Sequence, residues 1–431
     1  MEKFKLYPVL NGVTNYENRL NFLKTTHIEF SIENGLPFGW MDILDQDGSF
    51  LAEFENFQIG ANIDLKTKYD DDKVSEDIKN LEIKDWVILK ILTLASGGQN
   101  IKESIIRVYF GHKMFLYRDM TSHCYPAQPA NELIRTILAD KRRGCAFNLV
   151  EDEKPDSSPV KRYKINESDW EFLQNKVVNY CDYKLTPLYL YADLNSNFYF
   201  KSLSTMFSSN PKMLLYLHGT NGADQKAYEE FAAYYKGAQQ DEPMSYSFEI
   251  CTKEALASLK KAFILPDTQR NLSETGVKSP IADIDSDESD LSGSYPIDIY
   301  FAKSSDDGNS VITINNHNYS DSYSLLNRSF SAYNKMFQLE IITRFAAPLM
   351  NVGNCIGLFF GKGHWVNGKW ILRNTHFALD ESGNAVVVLK LMRPSFSGMI
   401  NETTLKNYAS FDKSPSPREK ARSDINKRNN S

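Results

Sequence analysis

The residues best placed for chemistry in this sequence are Leu215-Tyr216-Leu217-His218-Gly219-Thr220-Asn221-Gly222. An apolar run ending in His-Gly, with a further Gly, can offer backbone N–H groups to an oxyanion, as in α/β-hydrolases. That chemistry also needs a nucleophile on a strained G-x-S-x-G elbow, which the sequence lacks. The motif therefore reads as a plain strand-to-helix turn. His112, His123, Cys124 and Cys145 are possible metal ligands, and His364 and His376 fall in neighbouring strand-like segments. No pair among them has the close C-x2-C or H-x3-H spacing of a zinc site, and exposed or interface histidines are expected in such strands. Asp45-Gln46-Asp47-Gly48 has the look of a calcium loop. Setting Gly48 at the sixth loop position puts Ile43 at the first ligand and Phe54 at the twelfth, so a hairpin turn is expected instead.

Asp283, Asp285, Asp287 and Asp290 lack a fixing glycine, and Gly361-Lys362-Gly363 is too short for a phosphate loop. Catalytic, cofactor-binding and metal-binding residues are accordingly expected to be absent. One enzyme class stays open: a pair of carboxylates for glycoside hydrolysis converges only in three dimensions.

The whole chain narrows the field further. Its 431 residues can bury several cores, and its 23 Tyr and 26 Phe suit the pleated surface of strands. A formal charge of -6 gives no electrostatic footprint for sequence-specific nucleic-acid binding. The opening Met1-Glu2-Lys3-Phe4-Lys5 lacks the apolar run of a secretory signal, and no stretch is long enough to span a bilayer, so no membrane partner is expected. Five scattered cysteines, an odd number, argue against a disulfide framework and for folding in a reducing cytoplasm.

The elements that must position any site are mostly strands. Residues 27–33 lead to Asn34-Gly35, 40–44 lead to the Asp45–Gly48 turn, and 49–59 resume the apolar run. A charged interruption, Asp70-Asp71-Asp72-Lys73, opens a stretch to about Gly98 that is expected to be a helix or long loop. Strands return at 104–110 and 114–118. Leu133, Ile134, Ile137 and Leu138 share one helical face over 129–143, with Gly144 as a C-terminal cap. Ser168-Asp169-Trp170-Glu171 is a capping box, with Trp170, Leu173, Val177 and Val178 as a buried stripe. A hairpin is expected over 188–203, a strand at 213–217, and a helix over 223–236 ending at Gly237. Over 330–395, from a strand-like Met336–Phe345 onward, the spacing predicts a four-stranded antiparallel unit, with Asn367-Gly368 as a tight turn between Trp365 and Trp370. The stretch at 268–296 reads as a surface loop. The segment after Asn401 reads as a solvated tail, including Lys413, Arg418, Lys420, Arg422, Lys427 and Arg428.

Two stretches resemble the baseplate central hub family of contractile-tailed bacteriophages, related to the hub part of type VI secretion spike proteins. One is 168–203, with Trp170-Glu171-Phe172-Leu173, Leu188-Tyr189-Leu190-Tyr191-Ala192-Asp193 and Phe198-Tyr199-Phe200. The other is 336–393, with Pro348-Leu349, Val352-Gly353 and Val387-Val388-Leu389-Lys390-Leu391. The resemblance implies a β-rich α+β chain with two small antiparallel, tail-tube-like β-barrels. The expected order is a first barrel at 1–120, an α+β domain at 121–205, and a second barrel at 206–249 and 326–398. An insertion at 250–325 interrupts that second barrel, and a polar tail at 399–431 follows it. It also implies a homotrimeric ring in the virion baseplate, assembled in the host cytoplasm. A central spike or tail lysozyme protein would lie below, a tail tube or tube-initiator protein above, and tape measure protein in the lumen. A tube initiator, a wedge protein, or a cell-wall glycoside hydrolase with tail-like modules are the alternatives.

Overall fold

The computed structural model describes residues 4–250 and 337–393, except 13, 46–58, 70–75, 80, 96–103, 117–121, 141–146, 156–158, 184–185, 217–222, 236, 242–243 and 362–365. The His218-Gly219 motif, Gly48, Cys145, Gly144, His364, Trp365, the 250–325 insertion with its aspartates, and the basic tail lie outside the described residues.

Apolar residues at every second position make the first strands: β1 (Phe4–Leu10), β2 (Thr14–Asn15), β3 (Leu23–Ser31), β4 (Phe38–Asp45) and β5 (Asn62–Tyr69). Next come β6 (Ile83–Ala95) and β7 (Ser104–His112), then β8 (His123–Gln128), β9 (Leu149–Asp152) and β10 (Val160–Lys164). The middle of the chain holds β11 (Asp182–Tyr183), β12 (Thr186–Ala192), β13 (Phe198–Ser202), β14 (Met213–Tyr216), β15 (Gln239–Asp241) and β16 (Ser245–Ile250). The last strands are β17 (Phe337–Arg344), β18 (Cys355–Phe359), β19 (Gly368–Leu379) and β20 (Ala385–Arg393).

A single 14-stranded sheet runs through both ends of the chain in the order β15-β14-β18-β19-β3-β4-β7-β6-β5-β1-β2, with β20, β17 and β16 branching from β19. The expected β-rich class is met. Closed barrels are not found as hydrogen-bonded ladders among the described residues: β1 pairs with β2 and β5 but not with β3. The junction is β19. Its first residues pair with β18, and its last six pair with β3 on that same side, from Asn374↔Ser31 to Leu379↔Thr26. One continuous core follows, in which Trp86, Phe110, Trp370 and Phe377 are fully buried.

The expected helix or loop over 70–98 is overturned. Apart from the short helix Glu76–Lys79, its described part is dominated by the strand β6. Trp86, Val87, Ile88 and Ile91 are ambiguous in period, and pairing with both β5 and β7 decides them. The Asn367-Gly368 pair is not a tight turn either. Gly368 opens β19, while the Asn367 amide, fully buried, accepts from Phe360 N–H and donates to Gly361 carbonyl, tying a longer loop shut. Trp370 Nε1–H donates to Val366 carbonyl at 2.8 Å. The four antiparallel strands themselves are present, in the order β18-β19-β20-β17.

The central region packs its own core. The predicted capping box forms: Glu171 N–H donates to Ser168 Oγ at 3.2 Å and Ser168 N–H to Glu171 Oε2 at 2.9 Å. The helix Asp169–Phe172 continues as a π-helical turn, Leu173–Val177. Leu173, Val177 and Val178 are buried against β12 and β13, while Trp170 of the expected stripe is only partly buried at the cluster's edge. The helix expected over 129–143 is shorter, Ala130–Leu138, and buries its apolar face as predicted. Lys164 and Asp169 form an ion pair at 2.7 Å with 1% and 0% of their side chains exposed. Breaking one partner there strands a buried charge, at a cost of about 3–5 kcal/mol. The predicted hairpin (β12–β13) and the helix Ala223–Tyr234 are both found.

Candidate interaction surface

On the large sheet, the side chains that alternate away from the core form rows across strands from both chain ends. One row reads Lys90, Tyr109, Trp40, His27, Ala378, Val386, crossing β6, β7, β4, β3, β19 and β20. A second reads Leu92, Arg107, Asp42, Thr25. A third reads Phe38, Glu29, His376, Val388, Ile342. The alternation puts these rows opposite Ile28, Met41, Ile43 and Val108, which are buried.

The polar groups here are paired across strands. Arg107 clamps Asp42 through Nε at 2.7 Å and Nη2 at 2.8 Å, and Thr25 Oγ1 donates to the same carboxylate at 3.1 Å. His27 Nδ1 and His376 Nε2 meet at 3.1 Å across the β3–β19 junction, so one neutral ring donates to the other. His27 stacks on Trp40 with ring centres 4.7 Å apart. Burial first, then the nearby His376, holds the His27 imidazole below the ordinary histidine range, against an opposing pull from Asp42. Across the three rows Lys90 and Arg107 are set against Asp42 and Glu29, not a basic stripe of the kind that grips phosphates.

The metal candidates separate. His112 is fully buried between Phe147 and Phe198, its Nδ1 accepting from Met114 N–H at 3.0 Å, and burial holds its pKa down to about 3. It is a core histidine, not the exposed or interface kind expected from the sequence. His123 and Cys124 are exposed on β8. Among the described residues no three His, Cys, Asp or Glu gather as a metal site. Nor is any described helix long and apolar enough to cross a membrane. The His27–His376 contact was not visible in the sequence because its partners meet only through long-range pairing.

No protein-family model matches the sequence, and no curated protein matches it. Solved structures do. A tail protein from Neisseria meningitidis MC58 shares 9% identity over 91% of this chain and 96% of its own, with a TM-score of 0.52. The 43 kDa tail protein of prophage MuSo2 from Shewanella oneidensis shares 10% identity over 91% of this chain and 98% of its own, with a TM-score of 0.53. The fold is that of phage tail proteins. The resemblance first read from 168–203 and 336–393 is thus met across nearly the whole chain at the level of the fold.

Proposed function

We propose that this chain is a structural component of a contractile tail baseplate, a hub without catalytic activity of its own. In this reading it forms a homotrimeric ring in the virion. Two tail-tube-like halves per subunit give six around the axis, so a threefold spike below can dock to a sixfold tube above. The reading rests most heavily on the continuous sheet, in which β3 from one half and β19 from the other share a ladder. That ladder fixes the two halves as one rigid body, which a symmetry adaptor transmitting load requires. Closed threefold symmetry would also cover edge strands such as β16 with neighbouring subunits. The mixed-charge face would suit a lumen that lets tape measure protein and DNA pass without gripping them.

Light scattering on purified full-length protein tests this reading. The expected result is a particle of three times the chain's mass, seen in negative stain as a threefold annulus with a central hole. A strict monomer at micromolar concentration, with and without the cognate spike, overturns it, and a sixfold average favours a tube initiator. Clearing of cell-wall material in a zymogram, abolished by one Asp or Glu substitution, would overturn the non-catalytic part.

A further inference from the structure

Two histidines meet where strands from the two ends of the chain join. His27 on β3 and His376 on β19 share one face of the sheet and are both half-buried. Nδ1 of the first lies 3.1 Å from Nε2 of the second, although 349 residues separate them in the chain. The register explains the contact. His376 stands directly opposite Glu29, two residues along β3 from His27, so the rings reach each other on the diagonal. Trp40 walls the pair on one side, its ring stacked on His27 with centres 4.7 Å apart and 6.1 Å from His376.

A contact between two ring nitrogens can be held by a proton or by a metal ion. At a metal–nitrogen distance of about 2.0–2.1 Å, nitrogens 3.1 Å apart subtend an angle of about 95–100° at the ion. That is a cis pair, with an angle between the square-planar and tetrahedral values. The imidazole planes differ by 32°, so small ring rotations aim both lone pairs at one point. Imidazole donors suit zinc, nickel and copper. Two carboxylates are near. Glu29 lies across from His376, and the charge of Asp42 acts on His27, partly offset by Arg107. No third His, Cys, Asp or Glu gathers with the pair among the described residues, so water fills the other positions.

We infer that His27 and His376 form a two-histidine site for a divalent transition-metal ion, which ties β3 to β19. For the ion to bind, one ring moves its proton to its other nitrogen. Both facing nitrogens are then free to donate, and the pair keeps both its protons. The inference does not depend on the hub reading, since both ligands belong to one subunit.

Calorimetric titration of the untagged, chelator-stripped full-length protein with NiCl2, ZnCl2 and MgCl2 tests it. Saturable binding of Ni2+ or Zn2+, but not Mg2+, is expected. His27→Gln and His376→Gln should each weaken binding at least tenfold, because a lone imidazole replaces a chelating pair. His123→Gln, at an exposed histidine on β8, should leave affinity unchanged. Ni2+ should also raise the thermal midpoint of the parent protein and not that of either pair variant, because only the fold brings the two rings together. Glutamine keeps a hydrogen-bonding side chain at each position, and melts without metal check folding. No saturation with Ni2+ or Zn2+, equal binding of Mg2+, or unchanged affinity in both pair variants overturns the inference.

Discussion

The turns at 193–197 and 380–384 are built to one plan in unrelated parts of the molecule. In each, the leading aspartate N–H donates to the closing asparagine carbonyl, at 2.9 Å from Asp193 and 3.1 Å from Asp380. Each carboxylate accepts from the amides two and four residues on and from the asparagine side chain. Each turn passes through a left-handed residue, Ser196 at φ 60° and Gly383 at φ 81°. The difference is what docks outside. Ser196 Oγ donates to Lys84 carbonyl at 3.4 Å, linking the central region to β6. Gly383 takes the backbone of Phe4, whose N–H donates to its carbonyl at 3.2 Å. The local code is therefore shared, and the tertiary neighbour chooses between serine and glycine.

The sharpest way to break this parallel is Gly383→Ala. Its Cβ would sit 2.8 Å from Phe4 carbonyl oxygen at a strained φ, so a loss of about 2–4 kcal/mol is expected in urea denaturation. Asp193→Ala should cost about 2 kcal/mol and Asp380→Ala about 1 kcal/mol. The first also strands Tyr199 O–H and is buried, whereas the second is exposed. Equal losses by the same measurement would refute the claim that docking separates them.

A pH series adds a smaller effect, from Asp380 in the turn and from His27 on the β3 strand beside it. At Asp380, burial pushes the carboxyl up, but hydrogen bonds from Asn384, Ser382 and Gly383 outweigh it and leave the pKa lowered. Its stabilising contribution is present above the ordinary aspartate value and is lost as pH falls through the lowered one. His27 is lowered too, so the unfolded chain binds its proton first. Stability should fall as pH drops below the ordinary histidine value near 6.5. Urea midpoints at pH 7.5 and 5.5 measure the histidine part, to which buried His112 also contributes, and the share of the drop that His376→Gln removes belongs to His27. Ser196→Gly is the mildest change, within about 0.5 kcal/mol, because relief of the left-handed strain offsets greater freedom in the unfolded chain.

Legibility followed the range of the forces. The Ser168 capping box, the β12–β13 hairpin and the strands around 337–393 were readable because each is encoded within a few residues. β6 was not, since its apolar run fits two periods and only β5 and β7 settle it. Asn367-Gly368 misled because a buried amide can bind loop backbone rather than make a turn. The outward rows that cross from β3 to β19, and the histidine contact between them, depend on a pairing that no local pattern announces.

That meeting of β3 and β19 also sets a schedule for synthesis. Residues 26–31 leave the ribosome more than three hundred residues before their partners at 374–379. At roughly 5–20 residues per second, one edge of β3 waits on the order of 15–70 s for its ladder. During that interval it is an open template for other chains. The last strands to be made are thus the ones that close this edge.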